Sequence, residues 1–118
     1  MQFNPECVRD ILLECEDKIK NNEELYIEAN ELPDSLKKYS ADDVFYHLKQ
    51  CKSNGLFNDK SNEDVLGNYV VNDITEKAHD LIKNTKEEKI WKRISNKGVS
   101  SLPALISVVA DVLGIVKK

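Results

Sequence analysis

Few side chains in this sequence have the chemistry for catalysis. His47 and His79 are the only imidazoles, and a histidine can serve as a general base or a metal ligand. Neither sits within a recognisable local metal-ligand motif. His47 reads as a helix-surface or core-edge residue, and His79 as a hydrogen-bonding residue beside a strand. The three cysteines, Cys7, Cys15 and Cys51, are odd in number and lack C-x-x-C spacing, which argues against a disulfide framework or a zinc site. They are expected to be small core residues. No Ser-His-Asp order, nucleophile elbow or phosphate-cradling loop is present, and four glycines leave little room for one. The expectation is a protein without catalytic residues, cofactor or metal.

Binding chemistry is better represented. Ser40 followed by Ala41-Asp42-Asp43 is a helix start, and Gly55 is a stop signal. The helix between them, about 42–54, turns Val44, Leu48 and Cys51 inward and leaves Tyr46, Lys49, Gln50 and Ser53 exposed. Lys49 and Gln50 carry donors suited to base edges, while Lys60 and Asn62, expected at the tip of the following wing, are candidates for a backbone phosphate or the minor groove. Asp42, Asp43, Asp59, Glu63 and Asp64 in the same segments repel phosphate. For a protein partner the candidates are Trp91 and the apolar residues Leu105, Val109 and Val112.

These residues need a frame, and 118 residues suffice for one core with an appended helix or two. Apolar residues make up 41% and charged residues 32%, a composition that folds and is neither disordered nor membrane-like. The net charge of −4 is uneven: residues 1–34 carry ten acids against three bases, and residues 68–98 seven bases against five acids. The densest basic run is Lys86, Lys89, Lys92, Arg93 and Lys97. Nucleic-acid affinity rests on such clusters, and this one is thin, with Glu87 and Glu88 inside it.

The spacing of Val8, Ile11, Leu12, Cys15 and Ile19 predicts a first helix over 5–20, capped by Asn4 with Pro5 at its first position. Leu25-Tyr26-Ile27 reads as an edge strand. Asp34 is expected to cap a short helix through Tyr39. Leu56-Phe57 and Tyr69-Val70-Val71 read as two strands joined by a flexible wing loop. Helices follow over 76–84, capped by Thr75, and around Ile90, Trp91 and Ile94, with Thr85 as the cap. The run Leu102 to Val116 has eleven apolar residues of fifteen and one charge, Asp111. At about 1.5 Å per residue it falls short of the roughly 30 Å bilayer core. Its near-heptad seam, Leu102, Leu105, Val109, Val112 and Val116, is expected to dock on the chain itself or to pair two copies. Met1 to Pro5 lacks the basic start of a secretory signal, and Glu14, Glu16 and Asp17 interrupt the apolar stretch from Val8, so a cytoplasmic location is expected.

The stretch from Val44 to Phe57, with its apolar-x-x-His-Leu-x-x-Cys spacing and Gly55-Leu56-Phe57 exit, resembles the recognition helix and first wing strand of bacterial winged-helix regulators. Cys51 stands where leucine is commoner. Tyr69 to Ala78 is similar to the second wing strand and the following helix, with Ala78 in place of a glycine. More narrowly, Thr75 to Ile82 with Trp91-Lys92 resembles a small uncharacterised family of bacterial and phage or prophage genomes. The resemblance implies an α+β, mainly helical fold: a winged helix-turn-helix-like core over 1–84 and two C-terminal helices over 85–118. It transfers no catalytic residue. The leading functional expectation is a DNA-binding accessory regulator of phage or prophage type that reads DNA with the 42–54 helix. The alternative is a protein-interaction module on the same scaffold that does not bind DNA.

Overall fold

The computed structural model describes the backbone of residues 2–116 and the side chains of residues 2–112. It is α+β and mainly helical, with five helices and a small antiparallel sheet. Helix α1, Pro5–Lys20, starts where Asn4 accepts a hydrogen bond from the Glu6 N–H at 3.0 Å, and Pro5 occupies the first helical position. Its apolar stripe of Cys7, Val8, Ile11, Leu12 and Cys15 is buried, and the helix packs on α2, Ala41–Ser53, and α3, Glu76–Thr85. All three cysteines lie in the single core cluster.

Strands β1, Leu25–Ile27, β2, Asn62–Glu63, and β3, Tyr69–Val71, form the sheet in the order β1-β3-β2. The register sets Leu25 opposite Val71 and Ile27 opposite Tyr69, and these four side chains enter the core. Tyr26, Val70 and Asn62 then share one row on the outer face.

Two expected elements differ. Leu56 and Phe57 do not form the first wing strand: both are buried, Phe57 makes only an isolated bridge to Ile74, and the strand is the polar pair Asn62–Glu63. The short helix expected through Tyr39 is a 3₁₀ turn, Asp34–Leu36. Asp34 does not cap it, and its carboxylate pairs with Lys37 at 2.8 Å.

Helix α4, Glu88–Ser95, and helix α5, Leu102–Val116, complete the chain. Thr85 does not cap α4. It is the last residue of α3, is buried, and donates its hydroxyl to the Leu81 carbonyl at 2.8 Å. Helix α5 lies against α3 and α4, with Leu102, Leu105, Val109 and Val112 all buried. The seam therefore docks on the chain's own core; Val116 lies outside the described side chains. No helix among the described residues is long and apolar enough to cross a membrane.

Candidate functional site

Helix α2 begins where the Ser40 hydroxyl accepts the Asp43 N–H at 3.1 Å. It ends in a tight reversal: the Leu56 N–H reaches the Cys51 carbonyl at 2.9 Å, and Gly55 adopts φ +77°. A positive φ there is why glycine terminates the helix. With both ends fixed and Val44, His47, Leu48 and Cys51 buried, one stripe faces outward. Asp42, Tyr46, Lys49 and Ser53 follow one another on it at helical spacing, but Tyr46, like Gln50 beside them, is half-buried rather than exposed as expected. Lys49 leans to Glu63 on β2, 3.9 Å away. The expected readout residues are thus together on one face, headed by an acid.

His47 is a built-in core residue. Its Nδ1 lies 2.7 Å from the Asp43 carbonyl, and its Nε2 accepts the Asn4 backbone N–H at 2.8 Å. The tautomer protonated at Nδ1 satisfies both contacts. His47 thereby ties the start of α1 to α2 beside a cleft of about 360 Å³ that Phe3, Cys7 and Tyr39 also line. Burial, with Asp10 nearby, pushes the Cys7 thiol up to about 12, and the Tyr39 hydroxyl is held by Asp10 at 2.6 Å. Both His47 ring nitrogens and the Tyr39 hydroxyl are thus engaged in hydrogen bonds within the fold. Replacing His47 by leucine keeps the volume and removes both contacts. The expected cost is about 1–2 kcal/mol in urea unfolding. His79 differs from its expected role: it is exposed on α3, and its ring makes no hydrogen bond among the described residues.

The wing is braced from below and pinned at its end. Lys52 of α2 donates to the carbonyls of Asp59 and Ser61. The Ser61 hydroxyl donates to Asn58 Oδ1 at 2.8 Å and accepts the Asn72 N–H at 2.9 Å. Lys60 and Asn62 do not form the wing tip, because Lys60 precedes β2 and Asn62 lies within it. The tip is Val65-Leu66-Gly67. The Asp64 carboxylate accepts the Leu66 N–H at 2.9 Å and the Asn68 N–H at 3.0 Å, and Gly67 takes φ +84°. The Tyr26 hydroxyl donates to Asp64 at 3.3 Å and accepts from the Asn68 amide at 2.7 Å, fastening the loop to β1. This fixed loop leaves Val65 101% and Leu66 79% exposed, with Tyr26 at 46% beside them. These are the large apolar side chains that stand exposed among the described residues. Glu63 and Asp64 flank them in sequence.

The comparisons locate the chain among known proteins. Residues 2–101 match the model of a family described as hypothetical protein (DUF2513). The chain belongs to that family. No curated protein and no solved structure matches it. The DUF2513 match covers α1 through α4 and ends just before α5.

The expected partner residues of this DUF2513 chain lie inside it. Trp91 is buried under the Arg9 guanidinium, which sits 5.1 Å from the ring centroid, and Leu105, Val109 and Val112 are covered by the same chain. They are therefore not presented to a partner in this fold. Arg9 was not singled out in the sequence, yet it donates to the Thr85 carbonyl at 2.9 Å and the Lys86 carbonyl at 3.1 Å, and pairs with Glu88 at 3.0 Å. Among the described residues, no group of three or more His, Cys, Asp or Glu side chains is placed to hold a metal ion.

Proposed function

We propose that this protein is a non-enzymatic interaction module on a winged-helix frame, and that the wing tip docks into a protein partner. The order α1, β1, α2, β2, β3, α3 with the sheet order β1-β3-β2 supports the frame; in it the 3₁₀ turn takes the place of the helix before the reading helix. The observation that carries the docking reading is the clamped loop. Four hydrogen bonds among Asp64, Leu66, Asn68 and Tyr26 hold the loop in a geometry that pushes Val65 and Leu66 into water. A turn needs no aliphatic residues there, and a prefixed apolar pair binds with little ordering cost. Glu63 and Asp64 beside it suit a partner pocket that is apolar at its centre and basic at its rim. A cytoplasmic accessory role of phage or prophage type fits the resemblance.

Groove reading by α2 has one observation in its favour, the common stripe of Tyr46, Lys49 and Ser53. Asp42 at the head of that stripe and Glu63 beside Lys49 weigh against it, since each opposes a phosphate. The test is a quantitative comparison of what full-length wild type, Leu66→Asp and Lys49→Glu retain from cells. Both variants change exposed positions and should keep their stability within about 0.5 kcal/mol. A polypeptide held by wild type and Lys49→Glu but lost at least about tenfold with Leu66→Asp is the expected result. Retention that depends on Lys49 and not on Leu66 contradicts it.

A further inference from the structure

Helix α4 lies within the densest basic run of the sequence, and its cations form no ion pair among the described residues. Lys89, Lys92, Arg93 and Asn96 recur at i, i+3, i+4 and i+7, so they stand together on the side opposite buried Trp91 and Ile94, and Lys97 follows. Other cations are committed to the fold: Lys38 to Glu6 and Asp10, Lys86 to Glu16, and Lys52 to two carbonyls. Neither the three α4 cations, Lys89, Lys92 and Arg93, nor Lys97 has a side-chain partner among the described residues. Of the two acids at the start of the helix, Glu88 is taken by Arg9, and Glu87 at the N-cap forms no ion pair with these cations. Lys92 and Arg93 in the last turn also suit the negative end of the helix dipole, but Lys89 in the first turn does not.

We propose that this face is a seat for the phosphodiester backbone of nucleic acid, separate from α2 and from the wing. Where α4 meets α5, Arg93, Asn96, Lys97 and Val112 line a hollow of about 270 Å³, which sets a guanidinium, an amide and an ammonium around one depression. Arginine's planar fork matches a phosphate, and the lysines add point charges along its path. An anionic membrane would use the same charges, but it would also use apolar side chains beside them. Among the described residues the large exposed ones, Tyr26, Val65 and Leu66, are on the sheet and wing instead. A local patch of this kind allows a chain of net charge −4 to hold a polyanion.

The experiment is fluorescence anisotropy of a random-sequence duplex of about 20 base pairs with the full chain, from about 50 to about 200 mM salt. Three to four neutralised phosphates predict an affinity that falls roughly 100-fold across that range. Lys92→Ala/Arg93→Ala/Lys97→Ala should weaken binding at low salt by at least about tenfold and flatten the salt slope by about 2–3. Lys18→Ala/Lys20→Ala/Lys37→Ala removes the same charge from other elements and should change it less than about threefold. Circular dichroism melts confirm that both triples fold. Equal losses from the two triples, no salt-dependent binding by wild type, or binding to phosphatidylglycerol vesicles in place of DNA each overturns the proposal.

Discussion

Arg9→Ala is expected to lower the unfolding free energy by about 3 kcal/mol and the melting temperature by about 10 °C. The guanidinium closes the last turn of α3 by donating to the Thr85 and Lys86 carbonyls, groups that a helix end leaves without intrahelical donors. A charged donor on a part-buried carbonyl is worth roughly 1.5–3 kcal/mol, and a cation over a tryptophan face adds roughly 0.5–2. The ion pair with Glu88 adds little, because that carboxylate is 71% exposed. The contributions therefore separate by substitution. Glu88→Gln should cost less than about 0.5 kcal/mol. Arg9→Lys should recover less than half of the loss, because an ammonium cannot span both carbonyls while stacking on Trp91. Urea unfolding of the three variants checks this, and a larger loss in Glu88→Gln than in Arg9→Ala would contradict it.

The second large effect is alkaline. Cys7, Cys15 and Cys51 are fully buried, and burial is the main cause pushing each thiol up, Cys7 to about 12 and the others well above the ordinary thiol value. Burial likewise lifts the Tyr69 hydroxyl to about 12. The folded state thus holds these protons where the unfolded chain, with thiols near about 8.5–9, has released them. Stability is fully present below about pH 9 and is lost as the pH rises from there towards 12. The shift at Cys7 alone, from 9.0 to about 12, corresponds to up to about 4 kcal/mol. Urea unfolding under reducing conditions should show a plateau near neutral pH and then a decline of more than 1 kcal/mol per pH unit. Cys7→Ala should reduce that slope by about one proton, or 1.36 kcal/mol per unit. A stability that is level to pH 11 would rule out this assignment of the thiols.

What could be read from the sequence follows the range of the interactions. Asn4, Ser40 and Thr75 accept hydrogen bonds from N–H groups two or three residues away, so each announces its helix locally. Gly55 is visible for the same reason. The β2 strand was hidden because nothing in Asn62-Glu63 favours a strand; its place is set by β3 and by the Lys52 and Ser61 contacts below the loop. Leu56-Phe57 has the strand-like composition but fills the core after the α2 reversal. Arg9 could not be found by spacing, since its acceptors lie 76 and 77 residues along the chain.

The candidate site was legible in the same uneven way. Tyr46, Lys49 and Ser53 share a face because three- and four-residue spacing on a helix requires it. Trp91 and the α5 seam carried the signature of buried surface, but which molecule buries them depends on how α3, α4 and α5 meet. Val65-Leu66 stood in view as an apolar pair inside a polar stretch. Its exposure is set by Asp64, Asn68 and Tyr26, contacts that reach up to 42 residues along the chain and leave no local trace in the sequence.

The central claim is that the wing tip, and not the outer stripe of α2, meets the partner, and that the partner is a protein. It is tested most directly by placing a photoreactive benzoylphenylalanine at position 66 or at position 46 of the full chain and irradiating cells. The account predicts a protease-sensitive, nuclease-resistant adduct from position 66 and no nucleic-acid adduct from position 46. A nuclease-sensitive adduct at 46 with none at 66 would contradict it and return the function to groove reading by α2.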